Sequence, residues 1–177
     1  MSFLTKQNLR QAVRQRLALL SDNERCEASL RIFNQIATLD EVQRAQTIAL
    51  FASLRDEPQT TAIIEQLAQS KRIVLPRIEG EEMEFYDLSE GLHKGAFGIM
   101  EPLATTPVEP SDIDLMILPG VAFTCNGARC GRGKGFYDRY LSRRGFRART
   151  IGVCYPCQVV DSLPTEEHDR KVDLVLF

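Results

Sequence analysis

Short, unbroken apolar runs most constrain how this chain can fold. Ile48 to Ala52, Ile73 to Leu75, Leu115 to Leu118 and Leu174 to Phe177 are too short for buried helices and do not alternate. A strand wet on one face alternates apolar with polar, whereas a strand covered on both faces does not. Ile151-Gly152-Val153 adds a further strand, and Met83 to Leu88 a short one with weak alternation. Pro76 is expected to stop the second run and Pro119-Gly120 to close the third. Helical patterns lie between them, which predicts an α/β fold: an open, mostly parallel sheet with helices on both faces. Two βαβ units follow, strand 48–52 to strand 73–75 and strand 114–118 through helix 136–145 to strand 150–154. Each is expected to be right-handed.

The helices are legible from their stripes and caps. Leu9, Val13, Leu17 and Leu20 recur every three or four residues in 3–20, with Lys6 and Arg10 one turn apart on the flank. Spacing alone gives those two cations the role of snorkelling stems, or of groups reaching over a neighbouring site. Ser21-Asp22-Asn23-Glu24 is a capping box that starts a second helix, buried through Ala28, Ile32, Ile36 and Leu39. Thr60 or Thr61 is placed to cap a third, through Ile63, Ile64 and Leu67. Residues 91–110 read as loop. With no repeat or low-complexity linker, residues 1–177 are expected to form one domain. Nothing in the first 20 residues resembles a signal core, and no apolar run approaches the roughly 20 residues of a membrane span. A cytoplasmic protein is expected. Cys154-Tyr-Pro-Cys157 has CxxC spacing, with Cys125 and Cys130 upstream, but it follows a strand rather than opening a helix. The five cysteines are therefore read as reduced, buried or incidental thiols.

Gly127 to Arg149 carries eight basic residues and one acid, Asp138, in a chain of net charge −2. Gly131, Gly133 and Gly135 alternate with Arg132 and Lys134, and a helix-like segment, Phe136 to Arg144, follows. Such a bend can bring bare amides and cations against an anion, so a phosphate site is the first reading. It is neither a Walker loop, which needs Gly-Lys-Ser/Thr, nor a dinucleotide fingerprint, because the spacing is GxGxG. A glycine-rich turn capping a basic surface helix is the plainer alternative. Ligands of open α/β sheets collect beyond the carboxyl ends of the strands. Asp56-Glu57, Pro119 to Gly135 and Cys154 to Gln158 all fall there.

The run Asp114-Leu-Met-Ile-Leu-Pro119-Gly120-Val-Ala-Phe123, then Gly127, Arg129 and Gly131-Arg-Gly-Lys-Gly-Phe-Tyr-Asp138-Arg-Tyr-Leu141, resembles the 5-formyltetrahydrofolate cyclo-ligase family. Lys6-Gln-Asn-Leu9-Arg10, Asp56-Glu57-Pro58, Leu75-Pro76-Arg77, Pro164, His168-Asp169 and Lys171-Val172-Asp173 extend the likeness along nearly the whole chain. The resemblance implies an enzyme that uses ATP and magnesium to turn 5-formyltetrahydrofolate into 5,10-methenyltetrahydrofolate, ADP and phosphate. By the same resemblance Lys6, Arg10 and Arg129 through Tyr137 (Cys130, Gly131, Arg132, Gly133, Lys134, Gly135 and Phe136 among them) line the ATP site. Ala52, Glu57 and Arg132 through Phe136 meet the folate, Arg132 and Lys134 act in catalysis, and Asp138 and Asp169 hold the metal. The expected partners are those two substrates, with neither nucleic acid nor membrane, and the expected state is a monomer.

Three residues depart from the family's habit: Phe136 stands where many members have Tyr, Thr124 where Asp is frequent, and Cys130 where an aliphatic is usual. None removes a glycine, Lys134 or either aspartate. Two other readings come from different classes. A phosphosugar-binding sensor or isomerase would use the same frame without ATP. An RNA-binding module would use a basic helix over Arg139 to Arg149, with few aromatic groups for stacking.

Overall fold

Six strands form one sheet in the order β10-β9-β6-β1-β2-β3, in the computed structural model, which describes residues 5–95 and 100–177. The strands are β1 (Thr47–Ala49), β2 (Arg72–Glu79), β3 (Glu82–Asp87), β6 (Leu115–Pro119), β9 (Arg149–Val153) and β10 (Leu174–Leu176). All neighbours pair in parallel except β3, which returns antiparallel on β2. Two small hairpins, β4 (Leu92–Lys94) with β5 (Met100–Pro102) and β7 (Ala122–Phe123) with β8 (Arg129–Cys130), lie outside it. Ala96 to Ile99, within the stretch expected to be loop, and Phe3 and Leu4, the expected start of the first helix, lie outside the described residues.

The unbroken apolar runs are strands buried on both faces, as their composition requires. Ile48, Ile73, Leu115, Ile117, Ile151 and Val153 point to one core with α2 (Asp22–Ala37), α3 (Asp40–Arg44) and α4 (Thr61–Leu67). Their alternates Ala49, Val74, Met116 and Leu118 point to a second core with Tyr140 of α5 (Phe136–Leu141). Leu9, Val13 and Leu17 of α1 (Lys6–Ala18) meet Val121, Ala122, Cys130 and Tyr155 in a third. Each fully buried Val, Leu, Ile or Met side chain among them contributes about 1.5–3 kcal/mol. The capping box at Ser21 forms as expected. Thr60 does precede α4, but its hydroxyl donates to the Phe51 carbonyl at 2.7 Å instead of capping the helix. Among the described residues no helix is long and apolar enough to cross a membrane.

Pro76 does not stop β2, which runs on to Glu79. The Val74 carbonyl accepts the Leu50 amide at 3.0 Å, so alternate residues of β2, Pro76 included, face the β1 edge. Pro76 lies past the end of β1, where a missing amide breaks no ladder bond. The expected helix to Arg144 is also shorter, ending at Leu141 with Ser142 as its cap.

The order of the strands locates the ligand end. From β1 the chain crosses by α4 to β2 on one side, and from β6 it crosses by α5 to β9 on the other. The two helices lie on opposite faces, as two crossovers of the same hand running in opposite directions must. β1 and β6 are neighbours, so the crevice beyond their carboxyl ends is a topological switch point.

The segments closing that crevice are tightly fitted. Gly127 has φ 87° and its carbonyl accepts the Val172 amide at 2.9 Å; a Cβ there would run into the Val172 carbonyl. Gly127→Ala should cost about 3 kcal/mol, seen as a thermal midpoint lowered by roughly 10 °C. An unchanged midpoint would mean that this crossing has slack.

Candidate active site

Beyond the ends of β1 and β6 lies a cavity of about 610 Å³. α1 brings Lys6 and Arg10 to it, and the segment after β1 brings Phe51, Ala52, Leu54 and Glu57. Pro76 and Ile78 of β2 and Met83 of β3 form a further wall; Pro119, Gly120 and the stretch from Arg129 to Asp138 close the opposite one. Glu166, His168 and Asp169 enter from the C-terminal segment. The residues expected to bind nucleotide, folate or metal thus converge, apart from one, whereas the Cys154–Gln158 segment and Asp56, expected at the same end, do not line the cavity. Cys130 is 1% exposed, and its side chain packs in the core beneath α1 rather than on the cavity wall.

The glycine bend opens toward the cavity. Gly133 and Gly135 have φ of 104° and 69°, values only glycine holds without strain. Gly135 is the residue before α5. That helix is six residues long, so the bend's amides and cations, more than a helix dipole, make this end attractive to an anion.

The excess of positive charge around the bend does not form a free basic face. Arg129 pairs with Asp138 at 2.8 Å, Arg132 with Asp56 at 2.6 Å and Glu57 at 3.0 Å, Arg143 with Glu84 at 2.7 Å, and Arg149 with Asp173 at 3.1 Å. α5 ends at Leu141, and Arg143 and Arg149 are paired, so an RNA-binding helix over Arg139 to Arg149 is not formed. Asp173 also accepts the Thr150 amide at 2.8 Å. That places it at the amino end of β9, away from the cavity.

Two cavity cations stand apart. Arg10 donates to the Gly131 carbonyl at 2.8 Å, and its guanidinium lies beside Gly133. Lys134 is exposed. Among the described residues neither has a carboxylate within ion-pair distance, while Nε of the buried Arg129 has no hydrogen-bond partner at all. A buried donor without an acceptor is costly unless a ligand supplies one.

Lys6 does not snorkel. Its ammonium bonds Asp169 at 2.7 Å and Glu166 at 3.0 Å. Burial pushes the Asp169 carboxyl up, but the Lys6 and Glu166-amide bonds outweigh it and hold it below the ordinary value. Burial likewise lowers Lys6, and the bonds to Asp169 and Glu166 outweigh that and raise it. The pair therefore adds stability between the ordinary values of 3.8 and 10.5; acid removes it by protonating Asp169, base by deprotonating Lys6. Glu57 is 6% exposed. Burial raises its carboxyl above the usual range, against the Leu54 amide and Arg132, which pull it down.

The far side of the cavity has a different chemistry. Phe51, Leu54, Pro76, Ile78 and Met83 make it apolar, with the Glu57 carboxylate in its wall. Sequence reasoning missed Ile78, which lies past the expected strand end at Pro76, and Met83, whose strand it read without a part in the site. It also missed Glu166, which nothing in its surroundings marked as the partner of Lys6. Among the described residues no group of three His, Cys, Asp or Glu is arranged to hold a metal. The five cysteines are all free thiols.

Residues 3–177 match the sequence model of the 5-formyltetrahydrofolate cyclo-ligase family. The mouse 5-formyltetrahydrofolate cyclo-ligase is 32% identical over 97% of this chain and 93% of its own length. The protein of the same name from Escherichia coli K12 is 34% identical over 93% and 95%. Among solved structures, the 5,10-methenyltetrahydrofolate synthetase of Aquifex aeolicus aligns with TM-score 0.87 at 35% identity, covering 97% of this chain and 88% of that one. The Mycoplasma pneumoniae synthetase aligns with TM-score 0.80 at 27% identity, covering 97% of both. A family match of this extent, on a chain whose expected site residues meet at the switch point of the same fold, places this protein in the 5-formyltetrahydrofolate cyclo-ligase family.

Proposed function

We propose that this chain converts 5-formyltetrahydrofolate to 5,10-methenyltetrahydrofolate at the expense of ATP, in the cavity beyond β1 and β6. The observation that carries the reading is the division of that cavity. At one end, among the described residues, Arg10 and Lys134 have no carboxylate partner and Arg129 Nε no hydrogen bond, beside a bend of glycine amides; at the other an apolar wall lies beside Glu57. The first end suits a triphosphate and the second a pterin, whose donor-rich edge a carboxylate can accept.

Phosphoryl transfer depends on alignment and dispersal of negative charge more than on a covalent nucleophile. The formyl oxygen attacks the γ-phosphorus, the bond to the β-bridging oxygen breaks, and its electron pair leaves with ADP. The amides from Gly131 to Gly135 hold the phosphates, while Lys134 and Arg132 neutralise charge moving to the leaving oxygen. N10 then attacks the activated formyl carbon and gives up its proton to the departing phosphate or water, the carbon–oxygen bond breaks, and phosphate leaves as the ring closes. Arg132 is bonded to Asp56 and Glu57 in the ligand-free cavity, so it joins the phosphates by leaving those acids. The Phe136 ring and the Ala52 backbone complete the folate contacts. Cys130 contributes through its main chain alone.

Magnesium usually binds through one or two carboxylates with phosphate oxygens and water completing its shell. Asp138 and Asp169, both on the cavity wall, fit that donor set and would hold it; it supplies neutralisation of phosphate charge when bound. Asp169→Asn should raise the magnesium concentration needed for half-maximal turnover several-fold, and an unchanged magnesium titration would leave Asp169 as the partner of Lys6 only.

The reading extends to one domain over 1–177, acting as a monomer in the cytoplasm, with the five free thiols in support of a reducing compartment. The test is absorbance of the methenyl product from 5-formyltetrahydrofolate, with and without ATP. Formation that requires ATP is expected; no product from pure, folded protein rejects the reaction. Product without ATP would favour a different use of the same frame.

A further inference from the structure

The CYPC segment has no part in the chemistry above, yet one of its residues, Tyr155, and the adjoining Gln158 hold the cavity together. Tyr155 is 0% exposed and Gln158 1%, and neither lines the cavity. The Tyr155 hydroxyl donates to the Glu57 carbonyl at 2.8 Å. Gln158 accepts the Tyr155 amide at 2.7 Å and donates to the carbonyls of Gly120 at 2.9 Å and Val121 at 3.0 Å. One buried chain of hydrogen bonds thus joins the segments after β9, β6 and β1.

Resting on the reading of Glu57 as a folate contact, we infer that Tyr155, itself held by Gln158, is a positioning residue that fixes where the Glu57 carboxylate stands. Glu57 lies on a segment with no helix or strand of its own, between β1 and α4. Within it the Glu57 amide donates to the Leu54 carbonyl at 3.1 Å and the Leu54 amide to the Glu57 carboxylate at 2.9 Å. Side chains tie it to its surroundings: Ser29 accepts the Gln59 amide at 3.0 Å, Arg25 donates to the Arg55 carbonyl at 3.1 Å, Arg132 bonds Asp56 and Glu57, and Tyr155 bonds the Glu57 carbonyl. A phenylalanine would fill the same space, but the Glu57 carbonyl would lose the donor that ties it to the segment after β9, keeping the 2.8 Å bond from Gln59 Nε2 of its own segment. A displaced carboxylate misses the pterin edge, while the phosphate end of the cavity, built on α1 and the glycine bend, meets Glu57 through Arg132, which leaves that acid when the phosphates bind.

The substitution Tyr155→Phe tests this. The KM for 5-formyltetrahydrofolate, and its Kd by calorimetry, should rise roughly fivefold, with the KM for ATP held within about twofold and a near-parental melting temperature. In a Glu57→Ala background the same change should add nothing to the folate Kd. An unchanged folate Kd, an equal rise for both substrates, a full fivefold effect in the Glu57→Ala background, or a Tyr155→Phe protein that does not fold would each overturn the assignment. A parent protein without turnover rejects the reaction instead, and the calorimetric arm still judges Tyr155.

Discussion

Lys134→Ala should lower turnover by about a hundredfold to a thousandfold, with the melting temperature unchanged within about 2 °C. The side chain is exposed, and among the described residues its amine has no carboxylate partner. Its backbone carbonyl accepts Arg139 at 2.8 Å, a bond that alanine keeps. Nothing in the fold therefore needs the ammonium, whereas a phosphoryl group leaving ADP needs a point charge at the glycine bend. Initial rates from product absorbance, together with a thermal melt, separate the two. Turnover within about threefold of the parent would remove Lys134 from the reaction.

Arg129→Ala should behave differently, losing both fold and function. The Arg129 side chain is 3% exposed and its partner Asp138 15%. Removing one member of a buried ion pair leaves the other charge uncompensated, at a cost of about 3–5 kcal/mol. In a chain of this size that lowers the thermal midpoint by roughly 10 °C or more. Asp138 keeps a 3.1 Å bond from the Arg170 amide, which offsets part of the loss. A midpoint within about 2 °C of the parent would show that water or a side-chain shift replaces the guanidinium. Against Lys134→Ala, this contrast separates the cation that builds the site from the one left free to act in it.

Much of this arrangement was legible in the sequence, and the physical reasons are particular. Residues buried on both faces of a sheet cannot alternate, so Leu115 to Leu118 declared its strand, and the capping box at Ser21 declared a helix start. The glycines at 133 and 135 announced a bend that side-chain-bearing residues cannot make. Pro76 misled because an imino nitrogen is harmful only where a neighbouring strand needs its hydrogen, and β1 has already ended there. The charge of the bend misled in the same way. Composition showed a local positive excess, but the acids that neutralise it, Asp56, Glu84 and Asp173, come from distant segments brought close by folding. The snorkelling reading of Lys6 failed likewise, because Asp169 lies 163 residues away.

The most direct measurement is a crystal structure of the protein with a non-hydrolysable ATP analogue and magnesium. The triphosphate should lie against the amides of Gly131 to Gly135 with Arg10 and Lys134 on its oxygens, leaving the apolar wall near Glu57 open for the folate. A nucleotide bound elsewhere, with that bend empty, would contradict the account.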